Sequence, residues 1–245
     1  TYLYLPLFNL LIFIYNIVPY KDVGVTIIII TIAMRAAMWP LSQKTIDAQK
    51  KMKDLQPKLS EINEKYKNDK EKKALETMRL YKENNANPVS SCLPLLIQLP
   101  ILWAVFEVFR DGFKPESLTG LYSFIAKPET INHFFLSIHW LDLSKPNIFL
   151  SILAAAAQYW QGSMLTISHP STATPGSKNE SMQATINKQM LYMMPVITLV
   201  FGLTLPSGLM LYWFVSTVLM GLQQWLQLRT PVLTKEETGG GSEKN

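Results

Sequence analysis

The sequence holds a single cysteine, Cys92, and three histidines, His133, His139 and His169, in 245 residues. A lone cysteine excludes an internal disulfide, and its apolar neighbours Leu93 to Leu96 mark it as a small buried thiol. The scattered histidines offer no convincing metal site. There is no G-x-x-x-x-G-K-[ST] loop, no G-x-G-x-x-G turn and no H-E-x-x-H pair, so the usual signatures of nucleotide hydrolysis, dinucleotide binding and zinc catalysis are missing. Ser216 has no histidine or acid in a neighbouring apolar segment, which argues against an intramembrane hydrolase. No cofactor is expected, and the chain does not read as an enzyme.

Charge is also scarce, at 17% of residues against 48% hydrophobic. The apolar residues are bunched into runs rather than spaced for a soluble helix or strand, which points to a membrane. The formal net charge of +5 sits in loops beside those runs. Anionic lipid head groups or a ribosome surface therefore fit better as partners than DNA.

A bilayer core of about 30 Å needs roughly 20 apolar residues at 1.5 Å each, with about 17 as the short limit. Five segments meet this or fall a residue short of it: 22–41, 92–110, 147–167, 190–205 and 208–228. The last two are separated by little more than Pro206 and Ser207, so they must form a tight antiparallel hairpin. The second and fourth are short, roughly 25 Å of helix, and would thin the bilayer locally. Residues 1–20 are apolar but interrupted by Pro6, Asn9 and Asn16, and read as an amphipathic helix lying in the interface. Residues 111–146 form the loop on one side of the membrane; 42–89, 168–189 and a flexible tail, 229–245, lie on the other. The latter side carries 17 Lys and Arg against 4 in residues 1–22 and 111–146, which places the N-terminus outside and the C-terminus in the cytoplasm. The chain begins at Thr1 rather than methionine, so N-terminal targeting cannot be read from it.

Residues 42–89 carry 12 basic and 8 acidic side chains. Met52, Leu55, Leu59, Ile62 and Tyr66 recur at spacings of 3 and 4, an a/d seam. Lys67 to Lys73 is a polar turn, and Ala74, Met78 and Tyr81 supply the facing stripe of a second helix. A cytoplasmic helical hairpin follows, kinked at Pro57. Its Lys50, Lys51, Lys53, Lys58, Lys65, Lys72 and Lys73 offer a docking surface for acidic or RNA-rich partners or for lipid head groups.

Arg35 is the most informative residue. An arginine at mid-span costs about 2.5 to 3.5 kcal/mol on insertion scales, and no acid lies near its depth. Glu107, Arg110 and Asp111 cluster near the outer end of the second span and are expected to satisfy one another. Snorkelling to cytoplasmic water is one account of Arg35. The other is a fixed positive charge in a water-filled groove. Thr31, Ile28 and Trp39 share its helix face, and Gln98, Gln158, Ser216, Thr217, Gln223 and Gln224 are polar residues in other spans that finish such a groove. Tyr212 and Trp213 form either an aromatic belt or a greasy surface for a passing segment.

Several motifs stand in order along the chain: L-Q-P at Leu55 to Pro57, L-Y-K-E at Leu80 to Glu83, and N-P at Asn87 and Pro88. C-L-P-L-L-I-Q-L-P-I at Cys92 to Ile101, M-P-V at Met194 to Val196 and P-S-G-L-x-L-Y-W at Pro206 to Trp213 follow. With the arginine-bearing span and charged hairpin, this order resembles the YidC/Oxa/Alb membrane protein insertases over roughly residues 1 to 230. The resemblance implies an all-α integral membrane protein of five transmembrane helices around a hydrophilic groove open to the cytoplasm and lipid, in the bacterial cytoplasmic membrane. It puts the family's groove arginine on Arg35, its second-span glutamine on Gln98 and its aromatic substrate contacts on Tyr212 and Trp213. The implied partners are nascent membrane proteins, the ribosome, the Sec translocon and the lipid bilayer. The large extracytoplasmic domain of Gram-negative members has no counterpart after Thr1. Residues 229–245 carry three basic and three acidic groups, so strong anchoring of a ribosome by the tail is not expected. Two rivals differ in what they require: a small-solute transporter or channel needs paired broken helices in two similar halves, and none are found; a non-transporting scaffold has no use for Arg35.

Overall fold

The computed structural model describes residues 4–87, 93–111, 115–137, 141–164 and 182–229. Cys92, His139, His169, Pro88, most of the segment 168–189 and the tail after Arg229 lie outside them. Among the described residues the regular structure is helical, in nine α-helices with short 3-10 turns and two isolated β-bridges. They are α1 (Tyr4–Ile17), α2 (Val23–Ala37), α3 (Trp39–Asp54), α4 (Gln56–Lys65), α5 (Lys70–Glu83), α6 (Leu93–Asp111), α7 (Ile148–Ser163), α8 (Met182–Gly202) and α9 (Ser207–Arg229).

α9 is the hub. It packs along α7 and α2 and meets α3 and α6, while α7 also packs along α8. Among the described residues α9 alone is long and apolar enough to cross a membrane unaided; α2 and α3 qualify only as a pair bent by 66°. That bend corrects the expectation of one span reaching residue 41. Helix α2 closes at Ala37 with Met38 as its C-cap, and Pro40, in the first turn of α3, lacks the N–H that would continue the ladder. Trp39 therefore belongs to α3 and does not extend the Arg35 face.

Asparagines that interrupt α1 have a structural use. Asn9, 2% exposed, accepts from the Tyr122 N–H at 2.7 Å and donates to the Gly120 carbonyl at 3.2 Å. Asn16 donates to the Ala126 carbonyl at 2.7 Å, and the Tyr15 hydroxyl accepts from the Asn132 N–H at 2.9 Å. Asp22, between α1 and α2, caps α2 through the Val25 N–H and takes the Leu136 N–H on its other oxygen. A connecting segment with few helical bonds of its own is thus paired group by group with α1. The chain reverses from α1 into α2 through Tyr20 and Lys21, both at positive φ.

The turn between α8 and α9 is stitched to the same end of the molecule. Ser207 and Gly208 donate their N–H groups to the Lys145 and Leu143 carbonyls, each at 2.9 Å, and the Ser207 hydroxyl reaches the Asp142 carbonyl. Gly208 is required by close approach: a Cβ there would stand 2.7 Å from the Phe109 ring. Asp142 accepts from the Ser144 N–H and hydroxyl and pairs with Lys145 at 3.2 Å. Burial works to raise its carboxyl, but the Ser144 hydrogen bonds and the Lys145 ammonium outweigh it and hold the group below its ordinary value. Beneath this end lies the larger apolar cluster, including Tyr15, Val23, Ile27, Phe109, Leu143, Leu209, Met210 and Tyr212.

Helices α3 to α5 form the charged hairpin, broken at Leu55 where Pro57 enters the first turn of α4. Met52, Leu55 and Leu59 are buried on the seam. The facing stripe differs from the expected one. Ala74 and Met78 are exposed, Met78 at 73%, and the inward side of α5 is formed by Thr77, Leu80 and Tyr81, which are half-buried. Spacing alone allowed either face, and the apolar content of α5 is too low to choose.

Candidate functional site

Arg35 sits in the last turn of α2, and its guanidinium crosses to α9 and α6. Nε and Nη2 donate to the Ser216 hydroxyl at 2.8 and 2.5 Å, Nη2 also reaches Gln98 Oε1 at 3.3 Å, and Nη1 points at the Met220 sulfur at 3.5 Å. Gln98 turns its amide nitrogen to the Tyr212 hydroxyl at 2.8 Å. Among the described residues every partner of the cation is neutral.

The spacing along α9 explains the assembly. Tyr212, Ser216, Met220 and Gln224 recur every four residues and so form one stripe. Ser216, Thr217, Gln223 and Gln224 are all buried. Gln224 and Gln161 clasp α9 to α7 reciprocally: Gln161 Nε2 donates to Gln224 Oε1 at 3.2 Å and Gln224 Nε2 to the Gln161 carbonyl at 3.4 Å. Gln223 donates to the Trp39 carbonyl at 3.3 Å and so ties α9 to the first turn of α3.

A cavity of about 30 Å³ opens between these groups, lined by polar Arg35, Ser42, Thr45, Gln49, Gln98, Gln161 and Gln224 with Met38, Leu41, Ile46 and Met220. This is room for about two waters. Helix α3 forms its floor, presenting Ser42, Thr45 and Gln49 at spacings of 3 and 4. The hairpin is held there by Lys53, whose ammonium donates to the Met164 carbonyl at the end of α7 at 3.1 Å, where free carbonyls favour a cation.

The sequence-derived candidates separate into two sets. Arg35, Gln98, Ser216 and Tyr212 converge. Thr31 is buried and donates to the Ile27 carbonyl of its own helix at 2.6 Å. Gln158 accepts from the Thr198 hydroxyl and joins α7 to α8. Trp213 is half-buried against the large apolar cluster. Tyr212 is 4% exposed and is no outer belt residue. Near the C-terminal end of α6, Glu107 accepts from the Trp103 indole at 3.0 Å and Arg110 lies over the Phe106 ring. Of the hairpin lysines, Lys53 is committed to α7, Lys72 pairs with Asp69 at 3.4 Å and Lys65 lies over the Tyr66 ring. Lys51 and Lys58 are exposed, while Lys50 and Lys73 are half-buried. Ser42, Thr45, Gln49, Gln161 and Met220 were missed; the four-residue step from Ser216 names Met220, and the polar stripe of α3 was readable in its spacing.

The sequence matches the family model described as 60Kd inner membrane protein over residues 13–234. A membrane protein insertase YidC of Treponema denticola is 37% identical over 216 residues, 86% of this chain and 34% of the relative. One from Fusobacterium nucleatum is 34% identical, with 84% of this chain and 86% of the relative covered. One from Clostridium perfringens is 37% identical over 84% of this chain and 79% of the relative. The chain thus spans about a third of the first relative and most of the other two. Among solved structures, an active YidC insertase with its first transmembrane domain resolved has a TM-score of 0.55 and 26% identity, covering 86% of this chain and 43% of that one.

Proposed function

The chain belongs to the 60Kd inner membrane protein family, and from that premise we propose that it is a membrane protein insertase acting on nascent membrane proteins. The observation that carries the reading is Arg35: a permanent cation in the last turn of a largely apolar helix, held by neutral groups and facing a polar cavity. A charge that costs a few kcal/mol to place there suits a site that attracts anionic groups from the cytoplasmic side.

In this reading α2, α6, α7, residues 190–205 at the end of α8 and the turn after it, and α9 are the five spans, α1 lies in the outer interface, and α3 to α5 project into the cytoplasm. The N-terminus is outside and the C-terminus inside, in a bacterial inner membrane. The hairpin meets the incoming chain, beside a ribosome or the Sec translocon. The cavity widens into a groove that admits the short polar outer segment, with Arg35 attracting its acidic residues while water solvates the rest, which lowers the desolvation cost of crossing. The apolar segment then leaves into lipid, where burial at about 25 cal/mol per Å² drives the step without nucleotide hydrolysis.

The test is co-reconstitution of the purified protein into liposomes with a small single-span substrate bearing an acidic outer tail, read by protease protection. Protection should require the protein and fall in Arg35→Ala. Protection no better than in empty liposomes, with folded protein, overturns the reading.

A further inference from the structure

We propose that Tyr212, with Gln98 and Ser216, is a positioning residue that aims Arg35 into the cavity, rather than a surface the inserted chain slides along; the proposal rests on the insertase reading above. Arg35 and Gln98 line the cavity, and Tyr212 and Ser216 do not. Both are buried, at 4% and 2% exposed, behind the guanidinium rather than in front of it. A chain in the cavity meets Arg35 first.

The four polar groups form a chain, Ser216 to Arg35 to Gln98 to Tyr212, across α9, α2 and α6. The Ser216 hydroxyl accepts two guanidinium N–H bonds and lies one turn from Tyr212 on the same face of α9. Gln98 must turn Oε1 to the cation, which fixes Nε2 as the donor to the Tyr212 phenol. Each member therefore determines the orientation of the next. The outcome is directional: Nε and Nη2 are occupied by oxygen acceptors, and Nη1 has only the sulfur of Met220, which lines the cavity with Arg35. A thioether is a weak acceptor, so this edge is the one a carboxylate can take.

The phenol has no other evident reason to be where it is. Phenylalanine would fill the same apolar cluster without burying a hydroxyl, and a buried hydroxyl is tolerated only when bonded. Its oxygen serves as the fixed point that Gln98 addresses.

The experiment compares insertion of two substrates, identical but for an acidic or a neutral outer tail, by wild type, Tyr212→Phe, Arg35→Ala and the double variant in liposomes. The readout is the acidic-to-neutral ratio. Tyr212→Phe should lower that ratio about fivefold, the factor one neutral hydrogen bond is worth, and should lower it no further in the Arg35→Ala background. Ser216→Ala should do the same through the same partner, which guards against a folding defect peculiar to one variant. Loss of equal size in both backgrounds, or an equal fall for both tails, would mean that Tyr212 acts on the chain directly and would overturn the proposal. An unchanged ratio in Tyr212→Phe, with Arg35→Ala lowering it, overturns this proposal and leaves the insertase reading standing. Insertion of neither substrate by wild type sinks both.

Discussion

Arg35 is held by directionality as much as by charge. Its fork serves Ser216 twice and Gln98 once, a pattern that a lysine ammonium on a flexible stem cannot reproduce. Arg35→Lys should retain part of the attraction for acidic tails and lose selectivity, with insertion of the acidic-tail substrate falling between wild type and Arg35→Ala. Equal activity of lysine and arginine would show that charge alone suffices. Asp142, far from this site, ties the loop before α7 to the turn before α9 and yields a pH prediction. Its folded value is held below the ordinary value of about 3.9, so its stabilisation is complete above that value and is lost as pH falls through the lower folded one. Asp142→Asn should therefore unfold at lower temperature than wild type near neutral pH, and the two melting curves should converge in strong acid. The sequence made Arg35 legible because a cation in an apolar run has so few explanations. It did not reveal that Tyr212 is inside, because a buried phenol and an interfacial one look alike until the opposing helix supplies Gln98.

At the scale of elements, the bend between α2 and α3 and the paired asparagines of α1 do the most to shape the site. Pro40 was visible in the sequence, but whether a proline kinks a span or ends it depends on what the next helix packs against, and Gln223, 184 residues from Trp39, holds the start of α3 through the Trp39 carbonyl. The stripe on α5 misled for a related reason: with few apolar residues, packing against α4 rather than periodicity chose the inward face. Asn9 and Asn16 stood out in the sequence as polar breaks in an apolar run, but their partners, Gly120, Tyr122 and Ala126, lie more than 100 residues away. Asn9→Leu should leave the Tyr122 N–H and the Gly120 carbonyl without that partner, at a cost of about 1 to 3 kcal/mol. Limited proteolysis should then cut the segment 115–137 faster than in wild type, and an unchanged rate would show that α1 does not hold it. Gly208→Ala should clash with the buried Phe109 ring and cost roughly 1 to 3 kcal/mol, read as a lowered melting temperature in detergent. Phe109→Leu in the same chain should recover part of the loss, since neighbours in contact are not additive.

For the whole molecule, two ends differ in kind. One is closed by apolar packing and backbone pairing among α1, residues 115–145 and the turn before α9; the other holds Arg35, a row of amides and a cavity floored by the charged hairpin. This polarity gives the insertase reading a direction, because a cation can draw acidic segments from the cytoplasm only if its cavity faces that side. The distribution of 17 basic residues against 4 supplies the sign, and it is independent of the packing. Tyr20, 92% exposed beside the closed end, and Lys58, exposed on the hairpin, report the two sides. In a Cys92→Ser background, Tyr20→Cys should react with a membrane-impermeant maleimide in intact spheroplasts, and Lys58→Cys only after permeabilisation. Reaction of Lys58→Cys alone in intact spheroplasts would turn the Arg35 cavity to the outside. A cation facing outward would retain acidic segments that had already crossed instead of helping them across, and the proposed function would fail with the orientation.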